Sequence, residues 1–485
     1  MVAMADQLSL AKLIAGISGW HPQIVGMPVY PVIDSREARP GAAFFALAGE
    51  RVDGHDYVGD AFARGAAVAV VERDVSVDAP LVDLTKAPAA SLSDAAVQGG
   101  PVLIKVPNVL EALQRAAGWW RRQLVGLRVL GVTGSVGKTT TKEMVARVLQ
   151  NRYTVMRSQA SYNNEIGLPL TLLRLDSRCE RVVLEMGMYT RGDIRFLARI
   201  AQPDVGIVTN VEVVHAERAG TIDEIALAKR ELIEALPPAP AGVAILNYDD
   251  PRVRAMAAHT EARVFTCGQA PQADLWADAV ESLGLAGIKM RLHHGADVVP
   301  VEVPLLGRHS VYPVLRAAAA GLVEGVEWEQ IVEGLRESGM QLRLVPRKGP
   351  EGSLVLDDTY NSSPPSALAA LAVLAELDGR KVAVLGDMLE LGPYEAEGHL
   401  EVGRRAAEVA AVLVAVGNLG ALIAEGARRN GMADAQIHTV SDSVAAAETV
   451  RSLVRAGDVV LVKGSRGVKM EHIVEALVGA DRVDA

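Results

Sequence analysis

Short runs of β-branched residues alternate along the chain with longer stretches whose apolar residues recur at helical spacing. RVLGVTG precedes KTTTKEMVARVLQ, RVVLEMG precedes DIRFLARI, DVGIVTN precedes TIDEIALAKRELIEAL, and KVAVLGD precedes HLEVGRRAAEVAAVLVAVG. Strands that alternate with helices at this spacing form parallel sheets with helices on both faces. The pattern therefore predicts an α/β fold for the central and C-terminal parts of the chain.

The length of the chain predicts more than one core. With 485 residues, about three domains are expected at roughly 150 residues each. A loop-like stretch, SVDAPLVDLTKAPAASLSDAAVQGGP, ends the first segment, and PRKGPEGSL interrupts the pattern again further on. These breaks predict domains over residues 1–107, 108–340 and 341–485.

The composition of the chain indicates which kinds of molecule the protein could bind. The formal net charge is −10, from 49 Lys+Arg against 59 Asp+Glu, and no run of like charges stands out. This balance argues against a protein that binds nucleic acid by neutralising phosphates. The two cysteines, Cys179 and Cys267, are far apart and form no CxxC pair, which is typical of a protein in the reducing cytoplasm.

Neither of the two most apolar stretches predicts a membrane segment. MVAMADQLSLAKLIAGISGW has the spacing of an amphipathic helix and lacks the basic region and the uninterrupted apolar core of a signal peptide. Residues 409–426 contain Gly417, Asn418 and Gly420, where a strand would turn into a helix. We expect a protein without membrane insertion.

The heptapeptide GSVGKTT, residues 134–140, is a candidate phosphate-binding loop. Gly134 and Gly137 let backbone N–H groups converge on phosphate, while Lys138 can reach the outer phosphates and Thr139 offers a hydroxyl to Mg²⁺. A strand precedes the loop and a helix follows it, as this mechanism requires. Val132 departs from the usual motif, which has a glycine at that position.

Two further strand ends carry groups that a magnesium nucleotide site uses. Glu185 ends the strand of RVVLEMG, and DVGIVTNVEVVH carries Asn210 and then His215. In an open parallel sheet, residues after the carboxyl ends of strands line the ligand crevice, so Glu185 and His215 are candidate metal ligands. Taken singly, Glu185 is equally consistent with a helix-capping acid and His215 with a surface loop residue.

Seven motifs taken together resemble those of the Mur ligases of peptidoglycan synthesis. They are GSVGKTT, YNNEIGLPLTLL, VLEMGM, TNVEVVHAERAGTIDEIALAKREL, ILNYDDP, DDTYNSSPPS and VLGDMLELG. The phosphate loop of this family is G[ST]xGK[ST]T without an earlier glycine, which accounts for Val132 by analogy. The resemblance implies three domains: an N-terminal UDP-sugar-binding domain, a central ATP-binding domain with a mostly parallel sheet of the phosphate-loop type, and a C-terminal Rossmann-like domain.

The resemblance also implies which residues contact substrate. DSREARPGAAFFALAGERVDGHDYVGDAFARGA is similar to the UDP-binding segment of the family, and YNNEIG to its paired asparagines beside the muramoyl peptide. The asparagines are also consistent with Asx-turn chemistry, and a carboxylate after a strand with a cap. The implied substrate-binding residues are Ser35, Arg36, Phe45, Ala46, Asn163, Asn164 and Asp387.

The resemblance implies that residues from three segments, and not the loop alone, contact the nucleotide and the metal. It implies contacts of Arg343 and Asn361 with ATP, and carbamylation of Lys229, whose carbamate would help to bind Mg²⁺. Without the resemblance, Arg343 and Lys229 would be read as solvated surface residues. The implied ATP-binding residues of the loop are Gly134, Ser135, Val136, Gly137, Lys138, Thr139 and Thr140. The implied metal ligands are Thr139, Glu185, His215 and Lys229. The implied catalytic residues are Lys138, His215 and Lys229.

NNEIG and GDMLELG favour the member of the family that joins D-alanyl-D-alanine to UDP-N-acetylmuramoyl-tripeptide. The implied reaction uses ATP and Mg²⁺, proceeds through an acyl phosphate and releases ADP and phosphate. We expect a cytoplasmic monomer. Three alternatives stay open from the sequence: the ligase that adds the third residue of the stem peptide, a folylpolyglutamate-type ligase, and a nucleotide-binding homologue without ligase activity.

Overall fold

The computed structural model describes residues 6–22, 27–49, 52–86, 101–159, 162–214, 216–337 and 343–479. Within them the chain forms three sheets, each largely parallel and flanked by helices. The predicted α/β class is confirmed. No helix in these ranges is both long enough and apolar enough to cross a membrane.

The first sheet has the strand order β1-β2-β3-β5-β4, and all of its neighbouring strands are parallel. Its strands are β1 (Tyr30–Val32), β2 (Ala42–Phe45), β3 (Val68–Val71), β4 (Leu81–Asp83) and β5 (Val102–Lys105). Strand β4 lies inside the stretch predicted as loop, because its pairing with β5 supplies hydrogen bonds that local propensity does not indicate. The helices of this part are α1 (Leu10–Ser18) and α2 (Val58–Ala63).

Helix α3 (Val109–Gln123) connects the first sheet to the second. It packs against α1, and its buried Trp120 belongs to a core cluster that also contains Phe45 of the first sheet and Leu184 of the second. The two sheets therefore share apolar contacts across α3. The predicted boundary at residue 107 falls in the turn between β5 and α3 and stays a prediction.

The second sheet has the order β14-β13-β12-β11-β10-β9-β6-β8-β7. Neighbouring strands are parallel from β12 to β7, and β12, β13 and β14 pair antiparallel at one edge. The strands are β6 (Arg128–Thr133), β7 (Val155–Arg157), β8 (Arg181–Glu185), β9 (Val205–Val208), β10 (Val243–Asn247), β11 (Arg263–Gly268), β12 (Leu275–Ser282), β13 (Ile288–His294) and β14 (Asp297–Val303). The helices are α4 (Lys138–Gln150), α5 (Gly167–Leu173), α6 (Asp193–Ala201), α7 (Ala216–Ala219), α8 (Ile222–Glu234), α9 (Pro251–Ala255), α10 (Val311–Val323) and α11 (Trp328–Arg336).

The third sheet has the order β15-β16-β20-β17-β18-β19, parallel except for the β15–β16 pair. The strands are β15 (Val345–Lys348), β16 (Leu354–Asp358), β17 (Lys381–Gly386), β18 (Val412–Val416), β19 (Ile437–Val440) and β20 (Val459–Lys463). The helices are α12 (Pro364–Glu376), α13 (Glu395–Val409), α14 (Gly420–Arg429), α15 (Ser443–Leu453) and α16 (Glu471–Val478). The predicted boundary at residue 340 lies outside the described residues.

Candidate active site

The GSVGKTT loop connects β6 to α4 and has the backbone that its glycines allow. Gly134 has φ 143° and Gly137 has φ 82°, values that side chains with a Cβ rarely adopt. A Cβ on Gly134 would lie 1.8 Å from Oγ1 of Thr209, so this glycine is also required by space. The loop therefore presents its backbone at the N-terminus of α4, where a helix favours anions.

Thr209 and Asn210, just after β9, hold the loop in place. The backbone N–H of Ser135 donates to the carbonyl of Asn210 over 3.0 Å, and that of Val136 donates to Asn210 Oδ1 over 2.9 Å. Oγ1 of Thr209 donates to the carbonyl of Val136 over 2.7 Å. Three bonds from one strand end thus fix the two residues between the glycines.

Lys138 folds its side chain back over the loop. Its Nζ donates to the carbonyl of Gly134 over 2.8 Å and to that of Ser135 over 3.3 Å. Burial lowers the pKa of Lys138; the charge of Glu185 opposes this shift and the charge of Arg343 adds to it. The ammonium is therefore held against the backbone of the loop.

Glu185, at the end of β8, contacts both the phosphate loop and Asn163 through its carboxylate. The residue is 2% exposed. Oγ1 of Thr139 donates to its Oε2 over 2.9 Å, and Nδ2 of Asn163 donates to its Oε1 over 2.9 Å. The structure thus brings together a predicted ATP-binding residue, a predicted metal ligand and a predicted substrate-binding residue.

The donor chemistry around Thr139 and Glu185 fits Mg²⁺, which prefers oxygen ligands and usually combines one or two carboxylates with substrate phosphates. Among the described residues, no group of three or more His, Cys, Asp or Glu side chains is arranged to hold a metal. The predicted ligand His215 lies outside the described residues.

Lys229 lies on helix α8, which begins with a capping box formed by Thr221 and Glu224. Its side chain is 2% exposed. Burial lowers the pKa of Lys229 well below its ordinary value, and the positive charge of Lys138 lowers it further. This environment is unlike the solvated helix surface that the sequence alone would suggest, and it favours a neutral amine.

The C-terminal segment contributes Arg343 to the same region. Its guanidinium lies 3.9 Å from the ring centre of Tyr360, and burial lowers its pKa while the charges of Asp358, Tyr360 and Glu185 oppose the shift. The charge of Arg343 acts on Lys138 as well. The structure therefore places the predicted arginine beside the phosphate loop.

Asn361 lies in the loop after β16 and bonds both its neighbour Ser362 and the distant Lys463. Oδ1 of Asn361 accepts from the N–H of Ser362 over 2.9 Å, and its carbonyl accepts from Nζ of Lys463 over 2.9 Å. These bonds fix the loop but leave the predicted contact with ATP as a prediction.

The predicted UDP-binding residues form a separate group on the first sheet. Arg36 makes a bidentate ion pair with Asp34, and Ser35 bonds Asp60 and lowers the pKa of that carboxyl. Phe45 and Ala46 are completely buried, so the side chain of Phe45 fills the core and only its backbone is left to face a ligand. In the described part of the chain, no hydrogen bond or ion pair joins these four residues to the phosphate loop.

A cavity of about 730 Å³ lies between the first sheet and the second. Tyr30, Glu37 and Arg39 line it from one side, and Gln159 and Arg174 from the other. It adjoins the predicted UDP segment at Glu37, Arg39, Pro40 and Gly41, and the phosphate loop is not part of its lining. The two groups of predicted site residues therefore occupy separate regions.

Asn164 and Asp387 have the capping contacts that the sequence left open as their alternative. Oδ1 of Asn164 accepts from the N–H of Gly167 over 2.9 Å, at the start of α5. Oδ1 of Asp387 accepts from the N–H of Gly420 over 2.8 Å, at the start of α14. Their predicted contacts with substrate stay predictions.

Two buried charged residues beside the predicted site were missed from the sequence. Lys463 donates from Nζ to Oδ2 of Asp358 over 2.6 Å, and this pair supports the loop that carries Asn361. Arg316 is the single charged residue in the apolar helix α10, VYPVLRAAAAGLV. A lone arginine in such a helix is the one signal that was available, since charged residues are almost never fully buried unless paired.

Profiles of three protein families match successive parts of the chain. The Mur ligase family, catalytic domain, matches residues 32–120. The Mur ligase middle domain matches residues 132–321, and the Mur ligase, glutamate ligase domain matches residues 342–466. Together they cover most of the sequence.

Individual proteins match over nearly the full length. The UDP-N-acetylmuramoyl-tripeptide–D-alanyl-D-alanine ligase of Mycobacterium tuberculosis strain H37Rv is 38% identical over 95% of this chain and 94% of its own. The crystal structure of MurF from Acinetobacter baumannii matches with a TM-score of 0.83 and 30% identity, over 98% of this chain and 99% of that one. MurF ligase from Thermotoga maritima, solved in complex with ADP, matches with a TM-score of 0.72 and 29% identity, over 92% and 96% of the two chains. These matches and the phosphate-loop site agree, and the chain belongs to the Mur ligase family as a MurF-like member.

Proposed function

We propose that this chain joins D-alanyl-D-alanine to UDP-N-acetylmuramoyl-tripeptide at the expense of ATP, in the synthesis of peptidoglycan precursors. The names of its full-length relatives support this reaction. The single observation that carries the proposal is the carboxylate of Glu185, which bonds Thr139 of the phosphate loop on one side and Asn163 on the other. One buried group thus connects the proposed nucleotide site to the proposed substrate site.

The nucleotide would bind with its phosphates on the GSVGKTT loop. The backbone N–H groups at the start of α4 and the ammonium of Lys138 would balance the phosphate charge, and Arg343 would add a second cation from the C-terminal segment. Thr139 and Glu185 would hold Mg²⁺ together with phosphate oxygens, and His215 is a further proposed ligand. The bound ion would supply a Lewis acid that withdraws charge from the γ-phosphate.

The chemistry needs activation because a carboxylate does not condense with an amine in water. A carboxylate oxygen of the tripeptide attacks the γ-phosphorus, the bond from that phosphorus to the bridging oxygen breaks, and ADP leaves with the electron pair. The amine of D-alanyl-D-alanine then attacks the acyl carbon, loses a proton, and expels inorganic phosphate. Lys138 stabilises the phosphate charge that develops in the first step.

Lys229 would act as a carbamate. Its neutral amine would add CO₂ and release a proton, which places an anion in the electrostatic surroundings of Lys138. The carbamate oxygens suit a hard cation such as Mg²⁺, whereas an ammonium would repel it. The burial of Lys229 supports this assignment.

Each of the three predicted domains would contribute residues to the reaction. We propose that residues 1–107 bind the UDP moiety through Ser35, Arg36, Phe45 and Ala46. Residues 108–340 would bind ATP. Residues 341–485 would contribute Arg343 and Asn361 to the ATP site and Asp387 to the substrate site. Asn163 and Asn164 would contact the muramoyl peptide. We further propose that the enzyme acts as a monomer in the cytoplasm, where ATP is available.

The test is a phosphate-release assay with the purified chain, combined with mass detection of the UDP-muramoyl product. We expect phosphate release and a product carrying two additional alanines only when ATP, Mg²⁺, UDP-N-acetylmuramoyl-tripeptide and D-alanyl-D-alanine are all present. A nucleotide switch would instead hydrolyse ATP without the last two. Supplying single amino acids and the shorter UDP-muramoyl dipeptide distinguishes a ligase that adds the third residue.

A further inference from the structure

Arg316 is buried under the phosphate loop, on helix α10. It is 3% exposed, and α10 packs along α4, the helix that begins at the loop. Nε of Arg316 donates to Oγ1 of Thr141 over 3.0 Å, and Nη1 donates to the carbonyl of Thr209 over 3.3 Å. One guanidinium therefore ties α4, which follows the loop, to the end of β9, whose next residues bond the loop.

The third nitrogen of Arg316 comes close to the loop itself. A Cβ built on Gly137 would lie 3.4 Å from Nη2, and Gly137 is the residue from which α4 starts. Thr209, which accepts from Nη1, also bonds the carbonyl of Val136. The guanidinium thus lies directly behind the backbone that would hold phosphate.

No carboxylate among the described residues balances the charge of Arg316. Within the described ranges it forms no ion pair with a carboxylate, and the groups that interact with its charge are Cys267 and Tyr312. Burial raises the pKa of Cys267 to about 12 and also raises that of Tyr312, so both are neutral near pH 7. Burial lowers the pKa of Arg316 only to about 10, so the guanidinium stays charged.

A buried charge without an anionic partner is costly, even where it is hydrogen-bonded. An anion bound on the loop would offset that cost, because low-dielectric surroundings strengthen the attraction. Lys138 already supplies one cation to the same loop, which would also favour an anion there. A purely structural role, by contrast, requires only the hydrogen bonds to Thr141 and Thr209.

We propose that Arg316 is a positioning residue for the nucleotide. The positive charge of Arg316 is balanced when the β-phosphate of ATP or ADP occupies the loop. The inference rests on the proposed nucleotide site and adds to it a cation that acts from behind the loop. The proposed role depends on the charge of Arg316 and not on its hydrogen bonds alone.

Two substitutions separate charge from hydrogen bonding. Arg316→Lys keeps the charge with a different geometry, and Arg316→Gln removes the charge while an amide can still donate to Thr141. Arg121→Gln is the matched control, since Arg121 is a largely buried arginine that bonds the carbonyl of Ala201 and pairs with Asp204. Asp204 lies just before β9, at the end of that strand opposite to the loop.

The measurement is calorimetric titration of each full-length variant with ADP and with AMP, alongside thermal unfolding. We expect Arg316→Gln to weaken ADP binding at least about tenfold, with a smaller loss for AMP, which lacks the β-phosphate. Arg316→Lys should stay within a few-fold of the parent, and Arg121→Gln should leave both affinities unchanged.

Equal ADP affinity in Arg316→Gln and the parent would overturn the inference, even if the unfolding temperature falls. Equal losses in Arg316→Gln and Arg316→Lys would also overturn it, because hydrogen-bond geometry would then account for the effect. If Arg316→Gln does not fold, a loss of ADP affinity of about tenfold or more in a folded Arg316→Lys variant would overturn the inference by itself, since that variant keeps the charge. A parent protein that does not bind ADP would contradict the proposed function instead.

Discussion

Thr139 donates a hydrogen bond from Oγ1 to Oε2 of Glu185 over 2.9 Å, which joins the first turn of α4 to the end of β8. The two residues are a hydroxyl and a carboxylate, the groups that a magnesium nucleotide site uses, and they are hydrogen-bonded directly to each other. Because Asn163 occupies the second carboxylate oxygen, Glu185 is held in one orientation. These two hydrogen bonds therefore fix the carboxylate of Glu185 beside the GSVGKTT loop.

Replacing Glu185 by Gln should reduce ligase activity by about 100-fold or more, the typical loss when an electrostatic group of the transition state is removed. The amide keeps the shape of the side chain but loses the charge that attracts Mg²⁺. Phosphate release measured over a range of Mg²⁺ concentrations should show a higher requirement for the ion. Glu180→Gln, an exposed position just before the same strand, serves as the control, and an unchanged Mg²⁺ requirement in Glu185→Gln would count against the assignment.

Replacing Lys138 by Ala should lower turnover about 100-fold or more while the protein stays folded. The ammonium contacts two loop carbonyls and does not fill a core. Steady-state kinetics and far-UV circular dichroism measure the two effects. Lys289→Ala, which removes an exposed lysine paired with Glu281, should match the parent, and ligase activity within a few-fold in Lys138→Ala would refute the role.

Replacing Lys229 by Ala should abolish activity, and short carboxylic acids added to the assay should restore part of it. The acid would occupy the space of the proposed carbamate and supply its oxygen atoms. Parent protein assayed with the same acids controls for non-specific effects. A Lys229→Ala variant that is fully active without any acid would show that no carbamate is needed.

Replacing Lys463 by Met should destabilise the third sheet by about 3–5 kcal/mol, the usual cost of leaving one partner of a buried ion pair alone. Lys463 and Asp358 have side chains that are 2% and 7% exposed. The free energy of unfolding from guanidinium titration measures the effect. The double variant Lys463→Met with Asp358→Asn should recover most of the loss, and a single variant as stable as the parent would show that the pair contributes nothing.

The two thiols should be unreactive in the native protein at pH 8. Burial raises the pKa of Cys179 to about 11 and that of Cys267 to about 12. The thiolate is the reactive form, so a raised pKa lowers the reactive fraction at pH 8, and that fraction grows as the pH approaches 11. Ellman's reagent should label two thiols per chain in guanidinium, whereas rapid labelling of folded protein at pH 8 would contradict this environment.

Much of the fold and part of the candidate site could be predicted from the sequence, because the signals there are local. The alternation of strands and helices is written in the spacing of apolar residues, and it predicted the α/β class. GSVGKTT carries its own geometry, since only glycine suits the backbone at Gly134 and Gly137. Local reasoning was less successful for β4 and β15, which lie in stretches predicted as loops or breaks, because pairing with a neighbouring strand stabilises them.

The burial and pairing of the charged side chains were decided only by the tertiary structure. Arg316 meets Thr141 across 175 positions of sequence, and Lys463 meets Asp358 across 105. The sequence alone determined the backbone of the GSVGKTT loop and the α/β class, since both depend on backbone conformation and periodicity over a few residues. The buried environments of Lys229, Arg316 and Lys463 depend on segments that meet only after folding, and desolvation and charge pairing there follow from packing that no local pattern encodes.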